Sequence, residues 1–272
     1  QYASLLLVLT NFIFIDFSHA DNDLPKWELG LGVAAARLAD YRGSQHGHTY
    51  AIPIPYGIYR GEKLRLDRDQ NRFRIFQNAT VSVDWSALVS QPVDSKDSPR
   101  RTDMPNLKPT LEWGPRLQLN FDDHWSFQTR VHVVSDIENE KLHERGVTVT
   151  PAISMKQPLG NDFSLNLLLS SPFASWRYND YYYGVDESYA RNDRSAYDAH
   201  GGWSGISTQI SLSKRTHSAW YGIFVSNHFL NGTSISDSPL IDDHTTWSAG
   251  FAVTWLLMQS REHAEPDKAS DN

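Results

Sequence analysis

Three groups of side chains in this 272-residue chain are of types that do chemistry. His46 and His48 flank Gly47. A His-x-His pair can ligate a transition metal, but no third ligand follows at a fixed spacing, and a solvated loop is the plainer reading. Asp198, His200 and Ser204 supply the residue types of a hydrolytic triad. A triad is defined by geometry rather than spacing, and the chain has no G-x-S-x-G elbow. The run Asp237-Ser238-Pro239-Leu240-Ile241-Asp242-Asp243 offers carboxylates to Ca²⁺ without the EF-hand spacing, so a solvated turn accounts for it. The expectation is no catalytic residue, no cofactor and no metal.

A larger set shares a pattern. Glu28, Arg65, Asp67, Arg72, Arg74, Asp84, Glu112, Arg116, Arg130, His132 and Lys156 fall on the polar side of alternating segments. Such a row either lines a charged pore or fills an interior in which opposite signs pair. An unpaired buried charge is costly, and the mixed signs favour pairing. The aromatic run 176–183 (WRYNDYYY) reads equally as a contact patch for a partner or glycan and as a loop packed down on a rim.

The elements that must position these groups are strands. From Leu111, every second residue is Leu111, Trp113, Pro115, Leu117, Leu119 and Phe121, interleaved with Glu112, Gly114, Arg116, Gln118 and Asn120. Residues 125–133 and 246–257 repeat the pattern, and 27–35, 50–58, 79–87, 147–155, 163–169, 206–212 and 219–229 fit it. Only a period of two sorts side chains this way. Two short pieces, 64–66 and 73–75, bring the count from about ten to twelve. Most of the clear segments exceed the five or six residues typical of soluble strands; they match the ~9–11 that cross a bilayer when tilted. Trp27, Tyr50, Trp85, Trp113, Trp125, Trp220, Trp247 and Trp255 near strand ends read as interfacial girdles. Short connections alternate with long polar ones at 40–49, 90–109, 136–146, 172–202 and 231–245. The fold expected is all-β: a transmembrane antiparallel up-and-down β-barrel.

Composition agrees. Hydrophobic residues make up 40% and charged ones 21%, too apolar for disorder and too polar for a helical membrane protein. The net charge of −7 disfavours nucleic acid as a partner. The absence of cysteine excludes disulfides and thiolate sites. Residues 5–15 (LLLVLTNFIFI) suit the apolar stretch of a signal peptide ending at Ala20. The organisation expected is an export segment at 1–20, a barrel at 21–258 and a polar, flexible tail at 259–272.

Several motifs then carry a resemblance. Tyr181-Tyr182-Tyr183-Gly184-Val185-Asp186-Glu187-Ser188-Tyr189-Ala190-Arg191, followed by Tyr197-Asp198-Ala199-His200-Gly201-Gly202, resembles the signature of the MipA/OmpV family. Asp40-Tyr41-Arg42-Gly43-Ser44, Ile52-Pro53-Ile54-Pro55 before Tyr59-Arg60-Gly61, and Asp237-Ser238-Pro239-Leu240-Ile241 keep the family's order. Two features differ from its usual pattern: fourteen residues follow Met258, and Arg65-Leu66-Asp67-Arg68-Asp69 stands where a glycine-rich third strand is usual. The family is named for the MltA-interacting protein of Gram-negative outer membranes. The resemblance implies a barrel in the outer membrane, touching lipid bilayer and lipopolysaccharide. It further implies a scaffold that joins a lytic murein transglycosylase to a murein synthase, with a narrow channel or adhesin as the alternative and a lipid-modifying enzyme behind both. Tyr41, Gly43, Ser44, Tyr181, Tyr182, Tyr183, Gly184, Val185, Ser188, Arg191, Tyr197, Gly201, Asp237, Ser238 and Pro239 are the signature residues expected to meet a partner.

Overall fold

A computed structural model describes residues 25–61, 64–66, 71–138 and 141–262, with the side chains of 64–66, 71 and 72 left out. The export segment, Asp67, the side chains of Arg65 and Arg72, and the chain after Glu262 therefore lie outside the described residues.

The alternating segments form strands β1 (Trp27–Ala39), β2 (Gly47–Arg60), β3 (Leu64–Leu66), β4 (Asn71–Gln77), β5 (Val81–Val89), β6 (Thr110–Asn120), β7 (Trp125–Glu138), β8 (Lys141–Gly160) and β9 (Phe163–Ser170). After the short β10 (Phe173–Ala174), helix α1 (Trp176–Tyr183) and the short β11 (Gly202–Trp203) come β12 (Ile206–Arg215), β13 (Ala219–Phe229) and β14 (Thr245–Gln259). Every pairing is antiparallel. The ring runs from β1 through β9 to β12, β13 and β14, and β14 returns to β1. Among the described residues it has twelve staves, the larger of the two counts expected. Closure removes the sheet edges that hydrocarbon does not tolerate, except beside β2, whose neighbour β3 has three residues.

The period of two decides what meets what. Leu29, Leu31 and Val33 on β1, Ile223 and Val225 on β13, and Phe251 on β14 point outward and are exposed. In water such a belt would drive aggregation; against lipid it is what a barrel needs. Trp247 and Trp255, eight residues apart on β14, are both exposed. That spacing is about 27 Å along a strand, comparable with the ~25 Å apolar band of such barrels.

Two of the expected girdle residues turn inward instead. Trp220 is 2% exposed and packs with Phe224, Ala34, Ala36, Leu38 and Ala252, with Tyr50 against the same cluster. The reason is the small residues on the intervening strands. At Gly250 an added Cβ would lie 2.7 Å from the Phe224 ring and from Ala36. Rings from β13 fill the space that alanine and glycine leave on β1 and β14.

The connection expected at 136–146 is largely strand. The β7–β8 ladder continues to Glu138↔Lys141 past a register shift at Val134. Asp136 is held by Arg145 (Oδ2–Nη2 2.6 Å). This arm rises above the apolar belt, where alternation of hydrophobicity no longer marks a strand. The ring is two-sided: tight turns at 78–80, 121–124, 161–162 and 216–218 lie at one end, and connections 40–46, 90–109, 171–205 and 230–244 at the other.

Candidate functional site

The inward row is the first part of the site. Glu28 is fully buried. It accepts hydrogen bonds from Tyr56 Oη (2.9 Å), Arg60 Nη1 (3.2 Å) and Arg215 Nη1 and Nη2 (3.1 and 2.5 Å). Asp84 accepts from Arg116 Nη2 at 2.5 Å, and Arg116 also reaches Gln128 Oε1 at 3.3 Å. His132 is buried, with Nε2 2.8 Å from Ser86 Oγ and Nδ1 3.9 Å from Glu112. Arg74 stands opposite Asp84 in register, and Lys156 is half-buried on β8. Arg130 lies opposite Arg116, its Nε buried without a hydrogen-bond partner among the described residues. Charges therefore meet mainly opposite charges. Ser82, Ser86, Ser154, Asn166, Ser211, Ser213 and Thr254 around the ring are all buried. Glu112, Gln118, Gln128 and Arg130 on the same inward side are half-buried.

The second part is a cap made by the four long connections. It has its own apolar core of Tyr41, Val93, Met104, Leu107, Tyr183, Val185, Ala199, Leu230, Ile235 and Leu240. The signature motifs, brought together by contacts that span 55 to 199 residues, meet here. Tyr41 Oη donates to Leu240 O (2.7 Å) and Tyr183 Oη to Arg42 O (3.1 Å). Ser238 Oγ donates to Tyr183 O (2.7 Å) and accepts from Leu240 N (3.2 Å). Gly43, at φ +93°, donates to Thr246 Oγ1 (2.7 Å), while its carbonyl accepts from Asp242 N and Asp243 N. Glycine suits this left-handed backbone. The Tyr41 and Tyr183 rings meet edge to face at 6.1 Å.

α1 seats the tyrosine run. Tyr181 Oη accepts from Lys108 N (2.8 Å), and its ring lies 4.8 Å from the Arg145 guanidinium. Tyr182 Oη is 3.3 Å from Thr110 Oγ1. Gly184 stops the helix where a side chain would strike Asp180, and Val185 then bridges to Tyr197. Gly201 lies against the start of α1. Burial pushes the Tyr41 hydroxyl up to about 12 and raises Tyr181 and Tyr183 as well. The tyrosines of the run are thus packed into the cap, while Trp176 at its start is exposed. Ser44 is buried, tied to His46 through its hydroxyl. Of the signature residues, Ser188, Arg191, Gly201 and Asp237 stay exposed, with Pro239 half-buried.

Three residues hold the cap together without having stood out in the sequence. Arg194 is 2% exposed and donates to the carbonyls of Tyr189, Arg100 and Thr102. Arg101 donates to Tyr182 O and Pro105 O. Asn179, fully buried, donates to His200 O and Ser234 Oγ. An arginine or asparagine in a polar connection carries no periodic signal that could have marked these roles.

The other chemical candidates are not assembled. His48 turns to Asp40 (2.8 Å) and His46 to Asp242 (3.6 Å), two separate carboxylates. The Ser204 hydroxyl points to Gly202 O, and His200 is exposed. Asp242 is occupied by Arg100, and Asp243 caps Thr245 N.

Comparison with known proteins follows the same lines. The family model described as MltA-interacting protein MipA matches residues 30–257. Outer membrane protein Omp26La of Vibrio anguillarum is 24% identical over 213 residues, 76% of this chain and 78% of that protein. Outer membrane protein OmpV of Vibrio cholerae serotype O1 is 25% identical over the same shares. Among solved structures, the NanC porin covers 84% of this chain and 100% of its own at 10% identity and a TM-score of 0.41. The CymD monoaromatic hydrocarbon channel covers 90% and 91% at 10% identity and a TM-score of 0.39. With the family model spanning nearly the whole ring and the cap that its motifs brace, the chain is a member of the MipA family and an outer-membrane β-barrel.

Proposed function

We propose that this barrel is a non-enzymatic docking protein that holds a lytic murein transglycosylase, and with it a murein synthase, at the inner surface of the outer membrane. The observation that carries the reading is closure. Paired charges and the apolar cluster fill the interior, and the cap covers the loop end. A filled barrel presents surfaces rather than a path. The family's name supplies the enzyme class. The tight-turn end, which faces the periplasm in this reading, supplies the surface: Phe121 is 65% exposed beside Asp122 and Asp123, and Leu159 is exposed at the end of β8, next to the neighbouring turn. Detergent-extracted protein, immobilised through an affinity tag, tests this. A purified lytic transglycosylase is retained, and replacing 121–124 with Gly-Ser weakens retention severalfold. No retention of either enzyme overturns the reading.

A further inference from the structure

The outward rows of the staves are almost free of charge. On β1, β2, β12, β13 and β14 the outward positions carry two charges among the described residues, Lys214 and Arg37. Lys214 lies at the tight-turn end, its ammonium 4.7 Å from the centre of the Phe163 ring. Arg37 lies at the opposite end. It follows Leu31, Val33 and Ala35 in the outward row of β1 and is flanked in register by Thr49 and Ala249. It is exposed, and among the described residues no hydrogen bond or ion pair holds its guanidinium.

The level of Arg37 decides what it meets. Ala249 is the outward position next to Trp247 on β14, so Arg37 stands two residues inside the level of that exposed tryptophan. Two residues of strand are about 7 Å, which a long side chain spans to bring its charge to the headgroups. An outward arginine is costly at the midplane and tolerated near the interface. With no side chain of the barrel to neutralise it, the counter-charge there is the lipid's.

The wall beside Arg37 is indented. A hollow of about 220 Å³ opens there, with Ala39 and Gly47 in its lining, residues too small to fill it. Arg37, Gln45, His46 and Trp247 line it as well, and all four side chains carry N–H donors. A guanidinium is the side chain best shaped for two phosphate oxygens. Asp243 also lines the hollow, with Oδ1 tied to Thr245 N (2.9 Å). A carboxylate repels a bare phosphate but accepts from a hydroxyl. Phosphate and hydroxyls close together are the chemistry of a phosphorylated sugar.

We propose that this hollow holds the phosphorylated sugar headgroup of an outer-leaflet glycolipid, with the phosphate on Arg37 and a sugar hydroxyl on Asp243. The site is independent of the docking role and shares with it only the orientation, long connections away from the periplasm. The test mixes the detergent-extracted full chain with lipid A carrying its phosphates, with the same lipid A dephosphorylated, and with phosphatidylglycerol. Native mass spectrometry counts the lipid retained, and heat-modifiable migration confirms the fold of each variant. Phosphorylated lipid A is retained severalfold better than either other lipid. Arg37→Gln removes most of that preference, and Lys214→Gln leaves it intact. Retention by Arg37→Gln equal to that of the unaltered chain overturns the proposal, as does an equal fall in Lys214→Gln. Dephosphorylated lipid A held as well as the phosphorylated form overturns it too. So does phosphatidylglycerol held as tightly, which would mean that charge alone is read.

Discussion

Glu28 concentrates the chemistry of the interior. Its carboxylate is fully buried and shared by Arg60, Arg215 and Tyr56. Glu28→Ala leaves two guanidiniums facing each other, and breaking one side of a buried pair costs roughly 3–5 kcal/mol. The urea midpoint of the folded, heat-modifiable form in liposomes falls accordingly; an unchanged midpoint would mean that water already reaches the pair. In the cap, Ser238→Ala strands the Tyr183 carbonyl and the Leu240 N–H, a local loss of about 1–3 kcal/mol. Limited proteolysis of intact proteoliposomes reads this as faster cutting within 230–244 at unchanged barrel stability. The side of the strand on which Glu28 lies could be read from alternation alone. Its partners could not: Arg60 is 32 residues away and Arg215 is 187, and only the closed ring brings them together.

Strands and connections differed in how far they could be read. A period of two is imposed by the pleat itself, so the long staves were visible wherever one face met lipid. The β7–β8 arm was hidden because its covered face meets the cap through polar groups, Asp136 and Arg145, so no apolar alternation marks it. The cap was hidden for a related reason: its core is built from single residues of four connections, which share no repeat. The aromatic run announced tyrosines but not whether they faced a partner or the barrel. Burial of those tyrosines is measurable. Folded protein holds the protons of Tyr41, Tyr181 and Tyr183 above the usual tyrosine range, while the unfolded chain releases them near 10. More protons on the folded state means that stability is unaffected below pH ~10 and falls as pH rises beyond it. Absorbance at 295 nm shows a late group of tyrosines that ionises only with loss of the cap; one uniform transition near 10 would place them in solvent.

For the molecule as a whole, the outward belt defines the environment. Ile223 sits mid-strand on β13, 55% exposed. Ile223→Arg should cost about 2–4 kcal/mol in a bilayer and little in a polar solvent, a difference seen by comparing unfolding in liposomes of short and long acyl chains. The barrel and its outer-membrane setting were visible in strand length and aromatic placement; the count of twelve needed the pairing of β3 and β4. The central claim is that this barrel is filled and capped. Planar-bilayer recording of the purified protein tests it most directly. A filled and capped barrel leaves a flat baseline at 100 mV with protein shown to be inserted and folded; discrete, reproducible conductance steps would mean an open path through it.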